Sequence, residues 1–182
     1  MSSAGKPKIL LHICCAACGA YVANFLKNDF EVILYFYNPN IFPAAEFRKR
    51  LKETGRIAGN YRLDLIKEKY DHARWLKIVA GKEQEPERGA RCRICYQDRL
   101  AMTARIAVGK KIGYFTTTLS VSPHKDACLI LSLGEELALK YKVNFLNADF
   151  KKKDGFKKSI IIGERLNLYR QNYCGCEFSR LG

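Results

Sequence analysis

Lys8–Ile13 reads KILLHI, Cys14–Ala20 continues as CCAACGA, and Glu31–Tyr37 reads EVILYFY. The first and last are short runs, apolar at nearly every position and, in the second case, rich in β-branched and aromatic side chains. Such runs are strands buried on both faces, because a half-exposed strand would alternate apolar with polar residues. The Ala-rich stretch Ala16–Lys27 between them reads as a helix. Strand, helix and strand in that order are the repeating unit of a parallel sheet.

The unit recurs along the chain. Asn38-Pro39-Asn40 ends the second strand, and Pro43 opens a helix running to about Ala58. Arg62–Ile66 is a short third strand, Asp71 an N-cap for a helix over His72–Val79, and Gly81–Ala90 a polar loop. Ile94–Val108 is helical, Tyr114–Leu119 (YFTTTL) is the fourth strand, and Ser122-Pro123 opens a helix covering Cys128–Tyr141. Val143–Leu146 is the fifth strand, and a helix over Phe156–Asn167 precedes a Cys-bearing tail. The expected architecture is one α/β domain over residues 1–182. It is a three-layer sandwich around a mostly parallel five-stranded sheet of Rossmann or HUP type. With strands ordered 3-2-1-4-5, ligands gather beyond the carboxyl ends of β-strands at the switch in order. Cys14 and Cys15 follow the first strand and Ser120–Lys125 the fourth, so both face that crevice.

The chain has 182 residues, 48% of them apolar, enough for a sizeable core. No apolar run approaches the roughly 20 residues of a membrane span. Met1–Lys8 is polar and no longer apolar run follows it, so the sequence predicts a cytoplasmic protein without a leader. Thirty-two basic residues against 18 acidic ones give a formal charge of +14, concentrated in Lys140–Arg170 and Phe47–Arg62. A polyanionic partner accounts for that excess; a heat-stable surface rich in lysine and arginine is the alternative.

Eight cysteines fall at 14, 15, 18, 92, 95, 128, 174 and 176. In a reducing compartment clustered cysteines point to metal rather than to disulfides. Cys15/Cys18 and Cys92/Cys95 are two pairs with two-residue spacers, four thiolates that suit zinc or a [4Fe–4S] cluster equally. Structural zinc closes with four ligands, yet Cys14, Cys174 and Cys176 remain over. That surplus favours a cluster with a second thiolate-bound metal or with redox-active thiols. Cys128, among Ala127, Leu129 and Ile130, reads as packing. Two rivals stand beside this reading: a zinc-bearing RNA-binding module, and a thiol-based sulfur-transfer or redox enzyme using Cys14-Cys15 or Cys174-Gly175-Cys176. The first strand is followed by HICCAACGA rather than by a glycine cradle, so no nucleotide cofactor is expected.

Six stretches together resemble the QueH-type, cobalamin-independent epoxyqueuosine reductases. They are LHICCAAC (Leu11–Cys18), YNPNIFPAAEFRKR (Tyr37–Arg50), RCRICYQDRL (Arg91–Leu100), FTTTLSVSPHK (Phe115–Lys125), DFKKKDGF (Asp149–Phe156) and LYRQNYCGCEFS (Leu168–Ser179). Ala17 stands where that family is expected to have proline. The resemblance implies an oxidoreductase of tRNA queuosine biosynthesis, which removes the epoxide oxygen from epoxyqueuosine at the wobble position. The reaction takes two electrons and two protons and releases water. No side chain supplies electrons, so a redox cofactor is required; a [4Fe–4S] cluster can deliver them one at a time, fed by an external donor that the sequence does not identify.

The resemblance extends to all the cysteines but Cys128 as metal-ligating candidates. Cys15, Cys18, Cys92 and Cys95 would carry the cluster. Cys14, Cys174 and Cys176 could hold an adjacent second iron, with Cys14 and Cys176 also counted as catalytic. Asp149 is the candidate proton donor, with a capping carboxylate as its ordinary reading. Tyr37, Asn38, Asn40, Ser122 and Lys125 are expected to line the substrate crevice. Tyr169 and Tyr173 could stack on an unstacked base. Lys151, Lys152 and Lys153, with Arg48, Lys49 and Arg50, are candidates for tRNA phosphates. His12, inside a strand, reads as a satisfied core histidine; His72 and His124 have no partner legible in the sequence.

Overall fold

A computed structural model describes residues 5–180; the first four residues of the polar amino terminus lie outside them. Five strands form one sheet: β1 (Lys8–His12), β2 (Glu31–Phe36), β3 (Leu65–Lys67), β4 (Tyr114–Thr117) and β5 (Asn144–Phe145). All neighbours are parallel and the order is β3-β2-β1-β4-β5, as the sequence predicts. Six helices cover it: α1 (Ala16–Leu26), α2 (Ala44–Tyr61), α3 (His72–Ile78), α4 (Ala90–Gly109), α5 (Ala127–Tyr141) and α6 (Gly155–Arg165).

The layers follow from the two-residue period of a strand. Ile9 and Leu11 of β1, with Val32 and Leu34 of β2, point into a core shared with α1, Ile57 of α2 and Phe156 and Ile162 of α6. Leu10, Ile33 and Tyr35 point the other way, onto Tyr96, Leu100 and Ala104 of α4 and Ile130, Leu133 and Leu137 of α5. Both faces of β1 and β2 are therefore covered, which is why their sequences show no alternation.

His12 fastens the carboxyl ends of three strands. Its Nε2 bonds the Tyr37 carbonyl at 3.1 Å and its Nδ1 lies 2.9 Å from Thr117 Oγ1. A carbonyl only accepts, so the proton sits on Nε2 and Nδ1 accepts from the threonine hydroxyl. Burial, helped by the charge of Arg99, holds the histidine far below its ordinary pKa and therefore neutral. The core reading of His12 is correct.

Several boundaries differ from the sequence expectation. Arg62 adopts a left-handed conformation that ends α2, so β3 starts at Leu65 rather than Arg62. The fourth strand stops at Thr117, whose hydroxyl accepts the Leu119 N–H and turns Thr118–Val121 into a 3-10 helix. The fifth strand shrinks to Asn144–Phe145, but the chain beyond stays fastened to β4: Thr116 Oγ1 donates to the Leu146 carbonyl and Ser120 Oγ to that of Ala148. Helix α4 begins four residues early because the Glu85 carboxylate accepts the Ala90 N–H. That shift puts Cys92 in its first turn. Cys128 corrects the packing expectation: it lies on α5 but is exposed, since the face toward the sheet is taken by Ala127, Ile130 and Leu133.

At Gly155, the first residue of α6, an added Cβ would overlap the Phe150 carbonyl, which is backbone and cannot swing aside. Gly155→Ala should therefore lower the unfolding free energy by at least about 1 kcal/mol. A denaturant midpoint equal to that of wild type would show that the turn before α6 yields freely.

Candidate active site

One cavity of about 960 Å³ opens beyond the carboxyl ends of β1 and β4. Its wall carries Cys14, Cys15, Cys18, Cys92, Cys95, Cys174 and Cys176, leaving out only Cys128. Three separate parts of the chain bring them there. Cys14 and Cys15 leave the end of β1 and Cys18 sits in the first turn of α1; Cys92 and Cys95 occupy the first turns of α4; Cys174 and Cys176 come on the tail.

The thiols are electrically inequivalent. Cys15, the N-cap of α1, is pulled down to about 5, chiefly by the Cys18 thiol, with the Cys18 N–H, Gln171 and Arg50 adding to it against burial. Cys18, as the donor in that pair, is pushed up correspondingly. Cys174 is likewise held down, first by the Cys176 thiol, and its sulfur also accepts the Cys176 N–H at 3.4 Å. Burial raises Cys92 and pushes Cys95 up to about 11. Gly175 makes the tail's turn possible: its φ is +111°, and an added Cβ would press on Ile41 and the Arg50 guanidinium.

Three buried arginines, each 1–2% exposed, stand in the same wall. Arg50 forms an ion pair with Glu46 at 2.7 Å and donates to the carbonyls of Cys174 and Tyr173, fastening the tail onto α2. It is thus no member of the phosphate-binding face expected for Arg48 and Lys49, which are exposed. Arg91 gathers the carbonyls of Lys82, Glu83 and Glu85, shaping the loop that roofs the cavity. Arg99 donates to Asn38 Oδ1 at 2.6 Å and interacts with the sulfurs of Cys95 and Cys14. The sequence reading passed over Arg91 and Arg99, although Arg91, Cys95 and Arg99 are spaced by four and share one helical face. Among the described residues, the buried side-chain atoms without a hydrogen-bond partner are Tyr35 Oη, Asn40 Oδ1, Trp75 Nε1, Arg91 Nε and Arg99 Nε. All but the first belong to residues of the cavity wall. Buried polar atoms are ordinarily paired, so a wall with four such orphans is a wall shaped for a ligand.

The candidate substrate residues divide. Asn40, Ser122, Lys125 and Tyr173 are on the cavity wall; the Tyr173 hydroxyl donates to the Phe42 carbonyl at 2.7 Å, and Ser122 Oγ accepts the His124 N–H. Asn38 lies behind the wall, clamping the Ile13 carbonyl and Arg99. Tyr37 points away from it, bonded to Asp98 and Arg74. Asp149 and Lys151–Lys153 are not brought to the cavity: the Asp149 carboxylate accepts the Lys151 N–H, closing the turn in which Lys152 and Lys153 are exposed. Tyr169 is capped by Lys49 Nζ, 3.4 Å from its ring centroid, and bonded to Glu46. His72 finds partners in the Pro39 carbonyl and Glu177, both at 2.8 Å.

The donor set is seven thiols on one wall, soft ligands of the kind an iron–sulfur cluster takes, so its chemistry fits such a cluster.

Fold and site thus define a doubly wound α/β protein with a soft, thiol-rich centre at its topological switch point. A model of the family "Epoxyqueuosine reductase QueH" matches residues 9–181, and the chain belongs to that family. It is 37% identical over 184 aligned positions to the epoxyqueuosine reductase QueH of Staphylococcus aureus, covering 97% of this chain and 77% of that one. With that of Dehalococcoides mccartyi it shares 38% over 175, covering 95% and 92%, and with that of Streptococcus pyogenes 34% over 180, covering 96% and 71%. The fold is shared with the U34-tRNA thiolase NcsA from Methanococcus maripaludis, solved with its [4Fe–4S] cluster. The TM-score is 0.62 at 13% identity, over 97% of this chain and 62% of that one.

Arg50→Met should loosen the tail, because it takes the counter-charge from Glu46, leaving it the Tyr169 hydroxyl, and frees two tail carbonyls at once. Breaking a buried ion pair costs about 3–5 kcal/mol. Thermal melts should show the loss, and hydrogen exchange should show it concentrated at residues 173–176. Unchanged exchange there would mean that the tail is held by its other contacts.

Proposed function

We propose that the thiol-lined cavity is where this epoxyqueuosine reductase works, converting epoxyqueuosine at the wobble position of tRNA to queuosine. The observation that carries this reading is that all seven cysteines of the family-like stretches share one cavity wall at the switch point of the sheet. The reaction adds two electrons and two protons to the epoxide, breaks both C–O bonds to leave an alkene, and releases the oxygen as water. Cys15, Cys18, Cys92 and Cys95 would hold a [4Fe–4S] cluster, which supplies the electrons one at a time from an external reductant. Cys14, Cys174 and Cys176 are left for an adjacent second iron.

The protein's own residues bind, orient and protonate. Asn40, with its side-chain oxygen buried and unpaired on the wall, is suited to accept a hydrogen bond from the modified base. Tyr173, on the same wall with the Arg50 guanidinium 5.2 Å from its ring centroid, is the aromatic candidate for contact with the base. Lys125, whose charge acts on both Cys18 and Cys174, is the wall residue suited to deliver a proton to the departing oxygen. Asp149 could do so only if its turn moved inward. The exposed Lys152 and Lys153, with Lys151, Arg48 and Lys49, lie outside the cavity, where phosphate contacts position the tRNA. No helix among the described residues is long and apolar enough to cross a membrane; a tRNA substrate and reduced thiols accord with work in the cytoplasm.

Purified anaerobically and given a low-potential reductant with epoxyqueuosine-containing tRNA, the protein should yield queuosine by nucleoside mass spectrometry. Cys95→Ala should lose iron and at least about a hundredfold of turnover, since losing even a partner that only orients a metal's ligands costs about ten- to a hundredfold. Cys128→Ala should keep both. No queuosine from an iron-replete wild-type preparation would reject the assignment. Lost turnover in Cys128→Ala would place the eighth cysteine in the machinery.

A further inference from the structure

The three buried arginines of the cavity differ in what balances their charge. Arg50 has the Glu46 carboxylate, and Arg91 has three carbonyl oxygens. Arg99 has neither. Its one oxygen partner is the neutral amide Asn38 Oδ1, its Nε is unpaired, and none of the ion pairs among the described residues includes it. Its other neighbours are the sulfurs of Cys95, one turn away on α4, and of Cys14, in the link between β1 and α1. A guanidinium stays charged even when buried, and a buried charge without a counter-charge is strongly destabilising. Neutral thiols cannot supply one; anionic thiolates carrying a cluster can.

We propose that Arg99 is the buried counter-charge of the thiolate-held cluster: lodged between Cys14 and Cys95, it offsets the negative charge gained on reduction and so holds the reduction potential up. It acts through the cluster and its ligands rather than on the substrate, and is therefore a positioning residue. Reduction adds one electron, from an external reductant, to a centre whose four thiolates already make it anionic. A fixed cation beside two of the cavity's sulfurs stabilises the reduced form more than the oxidised one, since net charge and hydrogen bonds to sulfur are among the factors that set such potentials. Asn38 completes the device. Its amide nitrogen is fixed on the Ile13 carbonyl at 2.8 Å, leaving its oxygen to aim the guanidinium. This is also why Asn38, expected at the substrate, stands behind the wall.

The proposal rests on the cavity thiols holding a cluster, and the test separates the two. Wild type, Arg99→Gln and Arg99→Lys are prepared anaerobically, reconstituted with iron and sulfide, assayed for iron, and titrated by spectroelectrochemistry. At a fixed poise, Arg99→Gln should shift the oxidised-to-reduced ratio at least about tenfold toward oxidised, ~59 mV for a one-electron couple. Arg99→Lys, which keeps the charge, should stay near wild type. If Arg99→Gln assembles no cluster, assembly in Arg99→Lys still supports the counter-charge. A Gln variant with full iron and an unchanged potential overturns the proposal. So does failure of both variants to fold or to load, which would make Arg99 a packing residue. A wild-type preparation without iron would instead defeat the cluster reading itself.

Discussion

Seven thiols share one cavity wall, and three arginines buried in that wall fasten the segments that bring them there. The rest of the structure can be understood as the scaffold that holds them. Arg50 reaches from α2 to the tail, Arg91 shapes the roofing loop, and Arg99 points from α4 to the end of β1. Each of the three chain segments that deliver cysteines is thereby tied to a buried cation. Burial alone would drive these thiols toward neutrality, as it does for Cys95, while neighbouring donors and charges pull Cys15 and Cys174 the other way. The cavity is a place of opposed electrostatic pressures, the ordinary condition of a site that performs chemistry.

The sheet supplies the geometry. Because every connection is a parallel crossover, the carboxyl ends of the strands lie at one edge, and the switch in order between β1 and β4 opens a crevice there. His12 pins this edge by joining β1 to Thr117 and to the chain after β2, and burial keeps it neutral so that it can do so. The shared architecture with a tRNA thiolase, at 13% identity, indicates how little of this scaffold depends on particular side chains.

Much of this was legible in the sequence, and the gaps have physical causes. Apolar runs such as KILLHI and EVILYFY announce a doubly covered sheet, and paired cysteine spacing announces thiols that gather at one site; both patterns are local. What sequence does not display is which charges are buried. Arg50 looks like its exposed neighbours Arg48 and Lys49, yet only it turns inward, because α2 presents it to the tail. Arg99 reads as an ordinary helical arginine until Asn38 and two sulfurs are found around it. Asp149 and Lys151–Lys153 are near the end of the same strand system, but a local turn closed by the aspartate itself directs them outside the cavity. Cys128 sits among apolar residues in sequence and still faces solvent, since one position on a helix is rotated by about 100° from the next.

The central claim is that the thiol-lined wall holds an iron–sulfur cluster rather than a closed structural zinc. Quantifying metal and acid-labile sulfide in protein purified without oxygen tests it most directly. The account predicts about four or five irons and about four sulfides per chain, on a brown protein that dithionite bleaches. One zinc per chain, no sulfide and no colour would contradict it.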